Sequence, residues 1–193
     1  MAMITESIIS GAAEGIASVV VKTMLDKWLA RYRKATSVES APQGSFSPSA
    51  SGLDAYLERS FQRCRFFKTL LNTSQPLEVE KKYVHTFLKC GSEKTIDDTL
   101  IKNSEIHRSV VVTGLAGSGK SMFMKYLTLQ KFQNSNGIIP LFIELRHLNG
   151  LTNKNLLTFI KSSCLSPGYS ISDKDFRSTL GAGGFIVILD GFD

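Results

Sequence analysis

The sequence predicts an α/β fold built on a parallel sheet with helices covering both faces. Three observations lead there. Short apolar runs, SVVVT (Ser109 to Thr113), IIPLFIEL (Ile138 to Leu145) and FIVIL (Phe185 to Leu189), alternate with amphipathic segments. The runs are apolar at nearly every position rather than every second one, the pattern of strands buried on two faces. The first run leads directly into GLAGSGKS (114–121) and then into a helical segment, so strand, glycine-rich turn and helix follow one another in register.

Composition agrees with a folded domain. The 193 residues are 42% hydrophobic and 21% charged, too apolar for a disordered chain, and three cysteines are too few for a disulfide scaffold. Cys64, Cys90 and Cys164 are widely spaced without a metal-ligand pattern, so free thiols in a reducing, cytoplasmic setting are expected. No run of about 18 uncharged apolar residues predicts a spanning helix. The opening MAMITESIIS carries Glu6 and no basic n-region, against a secretory signal. The formal charge of +6 is dispersed along the chain, and nucleic acid is not an expected partner. Its densest basic stretch, Arg59, Arg63, Arg65 and Lys68, interleaves with Phe61, Phe66 and Phe67 and reads as a solvated helix face over an aromatic core face.

Four segments follow along the chain. In residues 1–35, Thr5 to Lys34 reads as one amphipathic helix. Ile9, Ala13, Ile16, Val20, Met24 and Trp28 form one row, and Glu14, Ser18, Lys22 and Asp26 form the opposite one. Arg31, Arg33 and Lys34 suit the negative end of its dipole, while Gly11 and Gly15 each cost about 1 kcal/mol relative to Ala. Such a helix docks on the protein's own body or on another copy, with a membrane surface as the alternative. Residues 36–52, rich in Ser, Pro, Ala and Gly, read as a flexible linker. Residues 53–106 form a helical lead-in: a helix over Leu53 to Leu71, a break at Ser74-Gln75-Pro76 and a mixed segment from Leu77 to Cys90. Residues 107–193 carry the alternating pattern, with helices at Met122 to Phe132, at Asn155 to Cys164 and after Ser172, where Asp175 sits at capping-box spacing.

The chemistry concentrates at Gly114-Leu115-Ala116-Gly117-Ser118-Gly119-Lys120-Ser121, a full match to G-x-x-x-x-G-K-[ST]. Glycines at 114, 117 and 119 allow backbone conformations that turn successive N–H groups toward a phosphate. The helix that begins near Gly119 adds its positive end. Lys120 has the reach and charge for β- and γ-phosphate oxygens, and the Ser121 hydroxyl is a ligand for Mg²⁺. An acid at the end of another strand completes such a site. FIVIL ends in Asp190, at the carboxyl end where ligands sit in open α/β sheets, so Asp190 is expected to organise the metal.

Many ATPases follow this Asp with a Glu that polarises water. Here Gly191 follows, and the next acid is Asp193. The sequence D-G-F-D, together with G-L-A-G-S-G-K-S and the strand IIPLFIELRHL, resembles the NACHT family of STAND-class signalling NTPases over roughly Leu77 to Asp193. The resemblance implies a P-loop NTPase three-layer α/β/α parallel sheet, incomplete after the strand carrying Asp190. It implies ATP in preference to GTP, with Mg²⁺, and a hydrolytic role for Asp193 beside Lys120 and Asp190. Tyr83 and Val84 would be the counterparts of the segment that lies against adenine. It also implies an oligomerising switch, weak as an ATPase, that self-associates through the NTPase module and the amino-terminal helix. Relatives of this kind serve antiphage defence in bacteria and innate immunity in animals. In that class a later strand separates the phosphate-loop strand from the metal-acid strand, so the sequence is expected to be a fragment or a truncated product, aggregation-prone when isolated. A motor-type or metabolic P-loop ATPase and a nucleotide-holding scaffold without turnover are the alternatives, and Gly191 counts against the motor.

Overall fold

A computed structural model describes residues 16, 19–24, 26–27, 53–69, 75–103, 109–134, 138–150, 155–164, 172–181 and 183–191. The linker at 36–52 and Asp193 lie outside them, as does most of the amino-terminal helix. Its described residues, including 19–24, are helical, and Val21 and Met24 are buried members of the main core, whereas Ile16 and Val19 are exposed. The buried face of that helix is therefore turned toward Val21 relative to the row through Ile16.

The fold is mixed α/β. Helix α1 (Leu53–Arg65) buries Leu53, Tyr56, Leu57, Phe61 and Cys64 on one side, the three- and four-residue spacing that an amphipathic helix requires. It stops short of Leu71 because Phe66 and Phe67 extend into a two-residue strand, β1 (Phe66–Phe67), antiparallel to β2 (Leu77–Glu78). Glu78 ties this corner together through Lys81 at 3.0 Å and Arg65 at 3.5 Å. The short helix α2 (Val79–Lys82) follows, and then a hairpin, β3 (Phe87–Cys90) and β4 (Glu93–Ile96). The hairpin turns at Gly91 and Ser92, with Gly91 at φ 61°, the left-handed geometry that two-residue hairpin loops require. Helix α3 (Asp97–Asn103) closes the lead-in.

Beyond the glycine-rich loop come α4 (Lys120–Gln133), β5 (Ile139–Glu144), a 3₁₀ helix (Leu145–Gly150), α5 (Leu156–Cys164), α6 (Asp173–Gly181) and β6 (Phe185–Asp190). Asn155 starts α5 by accepting the Thr158 N–H on its Oδ1 at 3.1 Å, which satisfies one of the helix's orphan donors. Strands β5 and β6 are parallel, in a register that runs from Ile139 opposite Phe185 to Glu144 opposite Asp190. Their connection passes through α5 and α6, as a parallel pair requires. The centre of the core lies where β5 meets α1 and α4: Leu57, Leu129, Ile139 and Leu141 are fully buried, and Phe61 meets Phe132 edge-to-face at 5.4 Å. Pro140, second in β5, leaves the pairing intact.

The sheet is smaller than the sequence suggests. The described strands form three two-stranded sheets, of which only β5–β6 is parallel. Residues 109–113 pair with no described strand; Val110 and Val111 are 49% and 84% exposed. Strand β6, apolar up to its closing Asp190, is only half covered, while β5 is buried over most of its length. A β-branched run becomes a strand only when neighbours accept and donate its backbone hydrogen bonds. Among the described residues no helix is long and apolar enough to cross a membrane.

Candidate functional site

The glycine-rich loop is shaped by two residues of left-handed backbone. Gly117 has φ 76° and Gly119 has φ 89°, values that an L side chain rarely adopts. No atom stands within 4 Å of where a Cβ would project at either position, so backbone conformation alone calls for glycine there. Gly114 is different. A Cβ at that position would come within 2.9 Å of Ser118 Oγ, so an alanine there would require the Ser118 hydroxyl to turn away. Ser118 N–H donates to Leu115 O at 3.1 Å, and Phe123 N–H donates to Gly119 O at 2.9 Å to begin α4. The amides of Lys120, Ser121 and Met122 occupy the first turn of α4, where helical backbone offers them no acceptor.

Lys120 folds back over this loop. Its Nζ donates to Gly114 O at 2.8 Å and to Leu115 O at 3.1 Å. The ammonium thus rests on the carbonyls of the loop's first two residues, within the concavity that the glycines form. Ser121 Oγ donates to Asp190 Oδ1 at 2.9 Å. This bond joins the start of α4 to the end of β6 across 69 positions of sequence. It brings together two of the residues expected to share a metal. Asp193 lies outside the described residues. Gly191 has φ 77°, so a glutamate there would carry backbone strain.

A cleft of about 160 Å³ opens beside the loop. Its walls come from Gly114, Ser118 and Lys120 on one side and from Thr86, Phe87 and Leu88 of the hairpin on another, with Val112 and Phe123 adding apolar surface. Tyr83 and Val84 are not among the lining residues. Val84 is 76% exposed. Tyr83 instead stacks on Tyr126 of α4, ring centroids 4.1 Å apart and planes within 10°.

The hairpin is held in place by Asp97. Its side chain is fully buried and accepts hydrogen bonds from the Tyr83 hydroxyl, from Thr86 N–H at 3.0 Å and from Thr86 Oγ1 at 3.5 Å, with His85 Nδ1 at 2.7 Å. Asp97 N–H returns a bond to Thr86 O at 3.0 Å. Burial by itself would raise the Asp97 pKa, but the donors outweigh it and hold the carboxyl below the usual range. The Tyr83 hydroxyl is pushed up, by burial first and then by the adjacent carboxylate. Tyr83 and Asp97 therefore brace the wall from behind, and Thr86 to Leu88 present it.

Thr86, Phe87 and Leu88 are the residues that sequence reasoning missed. The available signal was the Gly91-Ser92 pair between FLKC and EKTI, a hairpin mark that places Phe87 four residues before the turn. Among the described residues no cluster of three His, Cys, Asp or Glu side chains could hold a metal by itself. Ser121 and Asp190 would therefore need oxygens from a ligand to complete a shell. Comparison of the chain with models of protein families, with curated proteins and with solved structures finds no match.

Proposed function

We propose that this chain binds a magnesium-complexed nucleoside triphosphate, ATP before GTP, at residues 114–121 with Asp190. The single observation that carries the reading is the Ser121–Asp190 hydrogen bond, which unites a phosphate-loop hydroxyl and a strand-end carboxylate as a metal-nucleotide site needs them. Lys120 would exchange the carbonyls of Gly114 and Leu115 for phosphate oxygens, and the first-turn amides of α4 would donate to the same anion. Ser121 and Asp190 would hold the magnesium ion, which when bound offsets phosphate charge. Thr86 to Leu88 and Phe123 would flank the rest of the nucleotide.

On its resemblance to the NACHT family, we assign the chain to a signalling switch with slow hydrolysis and nucleotide-dependent self-association, in immune or antiphage defence. Asp193 would assist hydrolysis. The three-layer parallel sheet of P-loop NTPases is part of this reading. It is supported by the exposed 109–113 segment and the half-covered β6, between which another strand would lie. The strained backbone at Gly191 argues against a motor-type glutamate.

The test is titration with fluorescent ATP and GTP analogues in magnesium, followed by single-turnover hydrolysis with light scattering. Saturable uptake lost in Lys120→Ala, with slow turnover linked to assembly size, is the expected result. Rapid turnover without a change of assembly would replace the switch with a motor. Uptake without turnover would make the chain a scaffold, and absence of uptake refutes the proposal.

A further inference from the structure

A second cavity, about 430 Å³, lies between α1, the carboxyl end of β5 and α5. That volume falls within the range of small-molecule sites. Its lining has two characters. Tyr56, Phe142 and Phe159 give it buried aromatic surface. Arg59, Ser60 and Arg63 line it from successive positions on one face of α1, and Glu144 and His147 line it from the end of β5 and the 3₁₀ helix.

The charges in this lining do not cancel. Glu144 Oε2 is 2.5 Å from a guanidinium nitrogen of Arg63, 2.5 Å from one of Arg146 and 3.4 Å from His147 Nε2. One carboxylate is thus already matched by two permanent cations. Arg59, one helical turn before Arg63, makes no ion pair among the described residues and adds a further positive charge. Ser60, 5% exposed, lies beside the Tyr56 hydroxyl, which donates to Phe142 O at 2.8 Å.

We infer that this cavity binds a small organic anion: a carboxylate or phosphate head held by Arg59, with an apolar body against Tyr56, Phe142 and Phe159. An inorganic anion would leave the aromatic surface unused, and a cation would meet a surplus of its own sign. The inference does not rest on the nucleotide reading, because the two cavities share no lining residue. This cavity nevertheless sits at the carboxyl end of the parallel pair, where Glu144 is the register partner of Asp190.

Calorimetric titration of the 193-residue chain with phenyl phosphate and phenylacetate, and with benzyl alcohol as the neutral control, tests this. The same titrations on Lys120→Ala separate the cavity from the phosphate loop. We expect saturable one-to-one binding of at least one acid, retained in Lys120→Ala, with the alcohol about tenfold weaker or more. Preference for one acid identifies the head group. Arg59→Gln should weaken binding about fivefold or more. The inference is overturned by absence of saturable binding, by equal binding of acid and alcohol, or by binding indifferent to Arg59→Gln. Binding lost in Lys120→Ala but kept in Arg59→Gln would assign the uptake to the phosphate loop and overturn it too.

Discussion

Replacing Asp97 tests how the hairpin wall is secured. Asp97→Ala removes the acceptor of the Tyr83 hydroxyl, of Thr86 N–H and of His85 at one stroke. Hydrogen bonds to a charged group are worth about 1.5–3 kcal/mol each, but they do not simply add here. His85 and Thr86 are exposed and regain water, so most of the loss falls on the half-buried Tyr83 and on the small void left behind. A destabilisation of about 2–4 kcal/mol follows. Asp97→Asn should cost less, about 1 kcal/mol. Its carbonyl oxygen still serves Tyr83 and Thr86, and its NH₂ can face His85 Nδ1 if the imidazole accepts there.

The sign of the pH dependence follows from the lowered Asp97 pKa. A carboxyl whose folded value lies below its unfolded value stabilises fully above the unfolded value, about 3.9. That contribution begins to fade as the pH falls through 3.9 and is gone below the folded value. Urea unfolding followed by far-UV circular dichroism should show the gap between wild type and Asp97→Asn at pH 7 narrowing toward about pH 3.5. An Asp97→Ala variant within about 0.5 kcal/mol of wild type, or a gap that widens in acid, would refute the bracing role.

Three further outcomes follow from packing and backbone. Leu141→Ala, at the fully buried centre of β5, should cost about 2–5 kcal/mol in denaturant melts. Gly119→Ala meets no atom within 4 Å, so its penalty is that of left-handed backbone alone, about 1–2 kcal/mol; Gly114→Ala instead crowds Ser118 Oγ at 2.9 Å and should displace that side chain, seen as shifted resonances at Ser118. Burial pushes the Cys64 and Cys164 thiols up to about 12, so in native protein a thiol reagent should modify the exposed Cys90 first. The other two should react only after urea is added.

Much of the carboxy-terminal pattern was legible in the residues. Helices α4, α5 and α6 and strands β5 and β6 fall within a few positions of their expected places, because burial imposes a period on the sequence. Leu141, Ile143 and Ile188 announce buried strands by composition alone. The lead-in was less readable. Helix α1 ends at Arg65 because the Phe66–Phe67 backbone finds β2, a partner ten residues on, and local propensity is blind to such a partner. The β3–β4 hairpin has mostly exposed side chains, so it leaves little hydrophobic alternation to detect.

For the candidate site, local sequence determined the loop: glycines at 117 and 119, a lysine and a serine at a helix start, and an acid closing an apolar strand are all properties of neighbouring residues. Tertiary structure decided what these face. It set Ser121 against Asp190 and folded Lys120 onto the loop carbonyls. It turned Tyr83 into a brace on Tyr126 and Asp97, and gave the cleft wall to Thr86, Phe87 and Leu88. It also left Val110 and Val111 without a described strand partner, and placed Arg59 and Ser60 around a cavity. The physical reason is range: backbone conformation and amphipathic period are written within a few residues, whereas hydrogen-bond partners and cavities depend on which distant segments pack together.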